Sequence, residues 1–303
     1  MLERALYHHG QETVMNLPRF PDFKIIGLED KEAILETIRR YPAEVCEVNF
    51  GNTFIWRKYD HPKLTTIHGN LCLLFEPPDE PAYFLQPIGE NDIPDTIRTC
   101  LSCAPRLSRI PASFAARWCS GFQCAPDRNN FDYVYRTGDL IELKGKKYDG
   151  KRNRIRKFER EHAYGYVQLR PGHLEDCRRL FQEWLEDKSL TNKMLSAQNE
   201  AIQEGLAHFE ALGLSGGAIE VEGKIEAFSI GEPLNPDTAV IHIEIVSPEY
   251  DGLSQLMNRE FVKNEWAAFP FINREQDMGI PGLRRAKMSY YPHHMVEKHH
   301  IWK

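Results

Sequence analysis

Three strand-like runs follow one another within residues 214–246: LSGGAIEVE, KIEAFSIGEP and TAVIHIEIV. Each is short, rich in β-branched or aromatic residues and bounded by turn residues, which is strand chemistry rather than helix chemistry. The link EGK joins the first two as a tight hairpin in which Gly223 can take a positive φ. A sheet formed this way buries a face against another layer, of helices or of strands.

The flanking sequence supplies those helices. VQLRP reads as a strand ending at a proline, and HLEDCRRLFQEWLED spaces Leu174, Cys177, Leu180, Phe181, Trp184 and Leu185 along one helical face. A second helix covers residues 195–211 and stops at Gly213. After the three strands, SPEYDG leads into LSQLMNREFVKNEWAA, whose Leu253, Leu256, Met257, Phe261 and Trp266 share a side. A short strand FPFIN, a polar loop REQDMG, a helix IPGLRRAKMSYY and an extended end MVEKHHIWK complete the half. The first half reads as short strands, AEVCEVN, TFIWRKY, LTTIHG, NLCLLFEP and AYFLQPIG, followed by helices near residues 94–104 and 111–119. FDYVYRTGDLIEL then returns to extended or turn structure.

At 303 residues the chain has room for two domains of ordinary size. Its 42% hydrophobic and 27% charged residues are those of a soluble globular protein. The first residues lack the apolar core of a signal peptide, and no segment has the roughly 20 apolar residues of a membrane span. These features predict a cytoplasmic protein. Seven cysteines, an odd number, fit a reducing compartment. Cys100, Cys103, Cys119 and Cys124 invite a zinc reading, but CLSC falls within a helical stretch, which favours buried structural thiols. The pairs His293-His294 and His299-His300 lack an acidic partner at helical spacing and read as edge-strand surface. No metal site is expected. Walker, dinucleotide and HExxH patterns are absent, which removes several enzyme classes.

The order strand, helix, helix, three strands, helix, strand, helix, strand resembles the GNAT acyltransferase fold. Two segments sharpen that likeness. Lys147-Tyr148 followed by Lys151-Arg152-Asn153, and NREQDMGIPGLRRAKMSYYP at residues 273–292, resemble a bacterial family related to the C-terminal transferase domain of phosphatidylglycerol lysyltransferase. The resemblance implies an α+β fold of two tandem GNAT-like domains, each a mixed, mostly antiparallel sheet flanked by helices. The expected division is residues 1–165 and 166–303, with the basic helix at the end of the first domain and the active site in the second. It also implies transfer of an acyl or aminoacyl group to an amine or hydroxyl.

The donor is constrained by one departure from the GNAT pattern. Acyl-CoA enzymes hold pyrophosphate on a glycine-rich loop between the central strand and its helix. Here that place carries SPEYDGLSQ, with a single glycine and the carboxylates Glu249 and Asp251. The lysyltransferases and the related Fem enzymes use aminoacyl-tRNA, an anionic donor. A partner of that kind suits residues 144–161, KGKKYDGKRNRIRKFERE, which carry +6 while the rest of the chain carries −12. Lys151, Arg152, Asn153 and Arg154 are therefore candidate donor contacts.

Arg274, Glu275 and Asp277 follow a short buried strand at its carboxyl end, where open α/β sheets place ligands. With Asn273, they are candidates to bind substrate, and Glu275 and Asp277 also compete with Glu244 for proton transfer. Arg284, Lys287 and Tyr290 fall on one side of the next helix, with Arg285 beside them. The resemblance makes Lys287 the first catalytic candidate, stabilising charge at an acyl ester. Glu244, in HIE on the central strand, is the candidate general base, and His242 is expected to pack on the strand's opposite side. Two other readings remain open: an ordinary acyl-CoA N-acyltransferase, and a noncatalytic module that binds RNA or anionic lipid head groups through the basic helix. The acceptor, whether small molecule, peptide or lipid, is not specified by these residues.

Overall fold

The structure, a computed structural model, describes residues 17–187 and 193–303. Its strands are β1 (Lys24–Ile25), β2 (Lys63–Ile67), β3 (Asn70–Phe75), β4 (Tyr83–Phe84), β5 (Arg106–Pro111), β6 (Gln123–Pro126), β7 (Asp132–Arg136), β8 (Tyr164–Gln168), β9 (Ser215–Val221), β10 (Lys224–Asn235), β11 (Thr238–Val246), β12 (Phe271–Asn273), β13 (His294–Val296) and β14 (Lys298–Trp302). They form two seven-stranded sheets, in the orders β1-β2-β3-β4-β5-β14-β6 and β13-β7-β12-β11-β10-β9-β8. Among the strands of the described residues, only β4–β5 and β11–β12 pair in parallel. These are two mixed, mostly antiparallel sheets flanked by helices, the tandem GNAT-like α+β arrangement.

The sheets exchange segments. The last strand, β14, inserts between β5 and β6 of the first sheet, while β7 and β8 belong to the second. Residue 165 thus falls inside β8, and each sheet takes strands from both sides of that point. The main core lies between the sheets, where Leu64, Leu73 and Phe75 of the first meet Phe228, Ile243 and Ile245 of the second across the helix Phe50–Ile55. A second cluster covers the outer face of the second sheet and includes Ile155 and Phe158 of the basic helix Asp149–Glu161. These two are the buried residues of that helix, and its charged residues take the other faces.

Two of the expected strands are not strands. TFIWRKY lies in the helices Phe50–Ile55 and Arg57–Asp60. Every residue of Phe50–Ile55 is buried, so its side chains carry no polar face from which a helical period could be read. The run is capped by Asn49, whose side chain accepts from Gly51 N at 3.3 Å. AEVCEVN is irregular, because its polar main chain is satisfied locally and by a carboxylate: Val48 N bonds Val45 O, and Cys46 N bonds Asp132 Oδ2 at 3.1 Å. β5, after the helix Ile93–Cys103, was not foreseen.

Candidate active site

The site forms where β11 loses its neighbour. β11 pairs with β12 only at Thr238, Ala239 and Val240, so its later residues leave an open edge. On the other side, Ile230 pairs with Ile243 and Gly231 with Ile241, which makes His242 the extra residue of a β-bulge. A bulge re-aims its side chain. A small cavity of about 50 Å³ opens there, lined by Ile55, Trp56, Ile202, His242 and Glu244.

His242 has a side chain only 1% exposed and is gripped at both nitrogens. Nδ1 lies 2.8 Å from Glu275 Oε1, and Nε2 lies 2.9 Å from Glu232 Oε1. Burial, the largest influence, disfavours its charged form, yet the bonds to Glu232 and Glu275 outweigh it and raise its pKa to about 10. Asn52, from the helix Phe50–Ile55, donates to the same Glu275 oxygen at 3.0 Å. Gly51 permits this approach, since a Cβ there would sit 2.1 Å from Glu232 Oε1.

Glu275 adopts φ +56, a left-handed conformation costly for a side chain of its size. Its N–H donates to Asn273 Oδ1 at 2.7 Å, and its carbonyl accepts from Tyr133 N and Lys287 Nζ, both at 3.2 Å. Lys287, at the end of the helix Pro281–Met288, also donates to the Arg274 carbonyl. Burial, then the adjacent Arg274 cation, pushes its pKa down to about 8. Arg274 itself bonds Glu244 Oε2 at 3.2 Å and stacks 5.0 Å from the Tyr290 ring. Lys151 covers the same ring at 4.0 Å and donates to Ser289 Oγ at 2.8 Å. One site therefore gathers Lys151, His242, Glu244, Asn273, Arg274, Glu275, Lys287 and Tyr290.

The remaining candidates stand elsewhere. Asp277 is fully buried and accepts a two-pronged bond from Arg284, at 2.8 Å from both Nε and the terminal nitrogen. Arg128 and Tyr133 complete the ring, so Asp277 and Arg284 brace the loop against its helix. Arg152 turns inward on the Leu143 and Gly145 carbonyls and Asp149. Asn153, Arg156, Arg160 and Arg285 are exposed. Among the described residues, neither Arg156 nor Arg160 has an ion-pair partner.

The segment after β11 meets the basic helix directly. Gly252, at φ +94, caps the helix Leu253–Glu265, and a Cβ there would lie 2.5 Å from the Arg154 carbonyl oxygen. Asp251 sits 3.9 Å from Arg154 and 3.7 Å from Lys157. Main chain and a carboxylate thus occupy the surroundings of this helix N-terminus.

Beneath the site lies a charged cluster that the sequence did not reveal. Cys46, Glu47 and Asp132 bring ligand atoms within 4.8 Å of one another, as a metal site would. The ammonium of Lys298 fills that position instead, 2.7 Å from Asp132 Oδ1 and 2.6 Å from Glu47 Oε2. The four cysteines weighed for zinc do not converge with other ligands among the described residues; Cys100 is buried, while Cys103 and Cys124 are exposed. Asn52, Glu232, Glu47, Asp132 and Lys298 all escaped the sequence reading. Glu232 alone left a signal, an acid in the stretch Ile230–Leu234, which holds no other polar side chain.

No helix among the described residues is long and apolar enough to cross a membrane. A structure of a conserved protein of unknown function from Bacteroides thetaiotaomicron is 30% identical, with a TM-score of 0.85 over 92% of this chain and 98% of that one. L-PGS from Bacillus licheniformis is 18% identical, with a TM-score of 0.64 over 90% of this chain and 92% of that one. FemX shares the fold at 8% identity, with a TM-score of 0.57 over 92% and 96% of the two chains. No curated protein sequence is significantly similar to the chain. The family model for the C-terminal region of phosphatidylglycerol lysyltransferase matches residues 38–301, and with the likeness above it establishes that the chain belongs to that family.

Proposed function

We propose that the protein transfers an aminoacyl group from aminoacyl-tRNA to an amine or hydroxyl acceptor. The observation that carries this reading is the pairing of Lys287 with Glu275 at the open edge of β11. Lys287 spends two of its three N–H donors on main-chain carbonyls, which leaves one for the oxygen of an ester under attack. Glu275 receives His242 and Asn52 on Oε1, while Oε2 has no hydrogen-bond partner among the described residues. The acceptor attacks the ester carbonyl carbon, and Glu275 Oε2 takes the proton it loses. Collapse of the tetrahedral intermediate breaks the ester C–O bond and frees the tRNA hydroxyl, to which Lys287 can supply a proton. Glu244 is assigned to holding Arg274 rather than to proton transfer, because the two are already paired.

The donor assignment rests on the Gly252 contact. Pyrophosphate at that helix N-terminus would have to displace the Arg154 main chain and face Asp251. A tRNA needs no such loop and can lie on Arg156, Arg160 and Arg285, which are exposed. The lysyl group and phosphatidylglycerol named in the family's description are the first transferred group and acceptor to try, alongside soluble amines.

Native mass spectrometry of the protein with lysyl-tRNA or acetyl-CoA, at low and moderate salt, tests the donor. A salt-sensitive complex with charged tRNA and none with coenzyme A is expected. R156Q/R160Q should then lower the salt slope by about 1.5. A salt-resistant coenzyme A adduct would overturn the donor, and binding of tRNA without transfer to any acceptor would favour a noncatalytic module.

A further inference from the structure

We infer that Lys298 is a positioning residue: from the last strand of the chain it holds Glu275 in place through Asp132 and Asn273. The relay is continuous. Lys298 is fully buried, and its ammonium lies 2.7 Å from Asp132 Oδ1. The other Asp132 oxygen accepts from Asn273 Nδ2 at 3.0 Å. Asn273 Oδ1 in turn accepts from the Glu275 N–H at 2.7 Å. Glu275 needs such a hold, because its φ of +56 is unfavourable unless surrounding bonds impose it. Its carboxylate then meets His242 at 2.8 Å.

Chain topology explains why the holding charge comes from so far away. Lys298 opens β14 in the first sheet, Asp132 opens β7 in the second, and Asn273 ends β12 beside β7. The exchange of β14 therefore delivers a cation across the sheet boundary to the foot of the site. Glu47 also bonds Lys298, at 2.6 and 2.8 Å, but among the described residues has no hydrogen bond to Asn273 or Glu275. It belongs to the cluster without belonging to the relay, which provides a control.

That Lys298 positions Glu275 is independent of the transfer reading; that this position matters for turnover rests on it. The test accordingly reads His242 directly, by NMR titration of the full chain labelled with ¹⁵N-histidine. The groups facing His242 are Glu232, Glu275 and Asn52. In K298M/D132N, which removes both charges of the buried pair, the His242 midpoint should fall by about one unit or more as Glu275 loosens. E47Q, which disturbs the cluster outside the relay, should leave the midpoint within about 0.3 unit. If K298M/D132N does not fold, N273A cuts the relay above an intact cluster and should give the same fall. A folded K298M/D132N or N273A with the wild-type midpoint would overturn the inference, as would an E47Q shift of equal size. Once a transfer assay is in hand, K298M/D132N should lower kcat about tenfold or more with KM little changed. A normal titration shift with no detectable transfer by any form would count against the transfer reading alone.

Discussion

His242 Nδ1 and Glu275 Oε1 stand 2.8 Å apart, joining the bulge of a central strand to a strained residue in the loop beyond its neighbour. The bulge aims His242 and the Asn273 side chain holds Glu275, and the two meet where β11 and β12 part.

This pairing makes stability depend on pH in a defined window. The folded pKa of His242, about 10, lies above the unfolded value of about 6.5. Its contribution is complete below the unfolded value, because both states are then protonated there. It is lost as pH rises from that value toward the folded one, where only the native state retains the proton. H242Q should therefore differ most from wild type in melting temperature near neutral pH and below, and the gap should close by pH ~10. A gap constant across that range would refute the assignment.

Lys287 should control turnover on the alkaline side. With its pKa at about 8, the ammonium that stabilises the ester oxyanion is lost above that pH. The rate of transfer should fall on that limb, and K287R should move the limb upward. K287A should cost on the order of 100-fold or more in kcat, as loss of one oxyanion donor does. Wild-type turnover by K287A would remove Lys287 from the mechanism.

Asp277 should behave as a brace. Burial raises its pKa, but Arg284, Tyr133 and the Gly279 N–H overcome this and hold it well below the usual carboxylate range. Its contribution is present above the unfolded pKa of about 3.9 and fades as pH falls below it. Because Arg284 is 37% exposed, D277N should cost only about 2 kcal/mol near neutral pH, with the deficit shrinking in acid. Denaturant titrations at several pH values measure this, and a deficit that grows in acid would contradict it.

Gly252 should tolerate no side chain. Both its φ of +94 and the Arg154 carbonyl oppose a Cβ, so G252A should destabilise by about 1–3 kcal/mol. The accompanying loss of hydrogen-exchange protection should localise to Asp149–Glu161 and the start of Leu253–Glu265. Loss elsewhere would mean that the contact does not seat the basic helix.

Much of the architecture was legible in residue order. The strands of residues 214–246, the helices on either side of them and the loop REQDMG follow from local periods and turn residues, which act over a few positions. Arg274 and Glu275 stood out as charged residues beside a buried strand that need partners nearby, whereas Lys287 was singled out by the family resemblance. What needed the tertiary structure was the choice of partner. Asn52 reaches Glu275 across 223 positions, and Lys298 reaches Asp132 across 166. The helix through Thr53, Phe54 and Ile55 was missed because burial of the whole turn Phe50–Ile55 left no exposed face to mark a period, and Arg152, Arg284 and Asp277 turned inward because carbonyls and countercharges lay within reach. Local propensity is encoded in neighbours along the chain, whereas electrostatic pairing in a dry interior depends on distance in space, which only the packed sheets set.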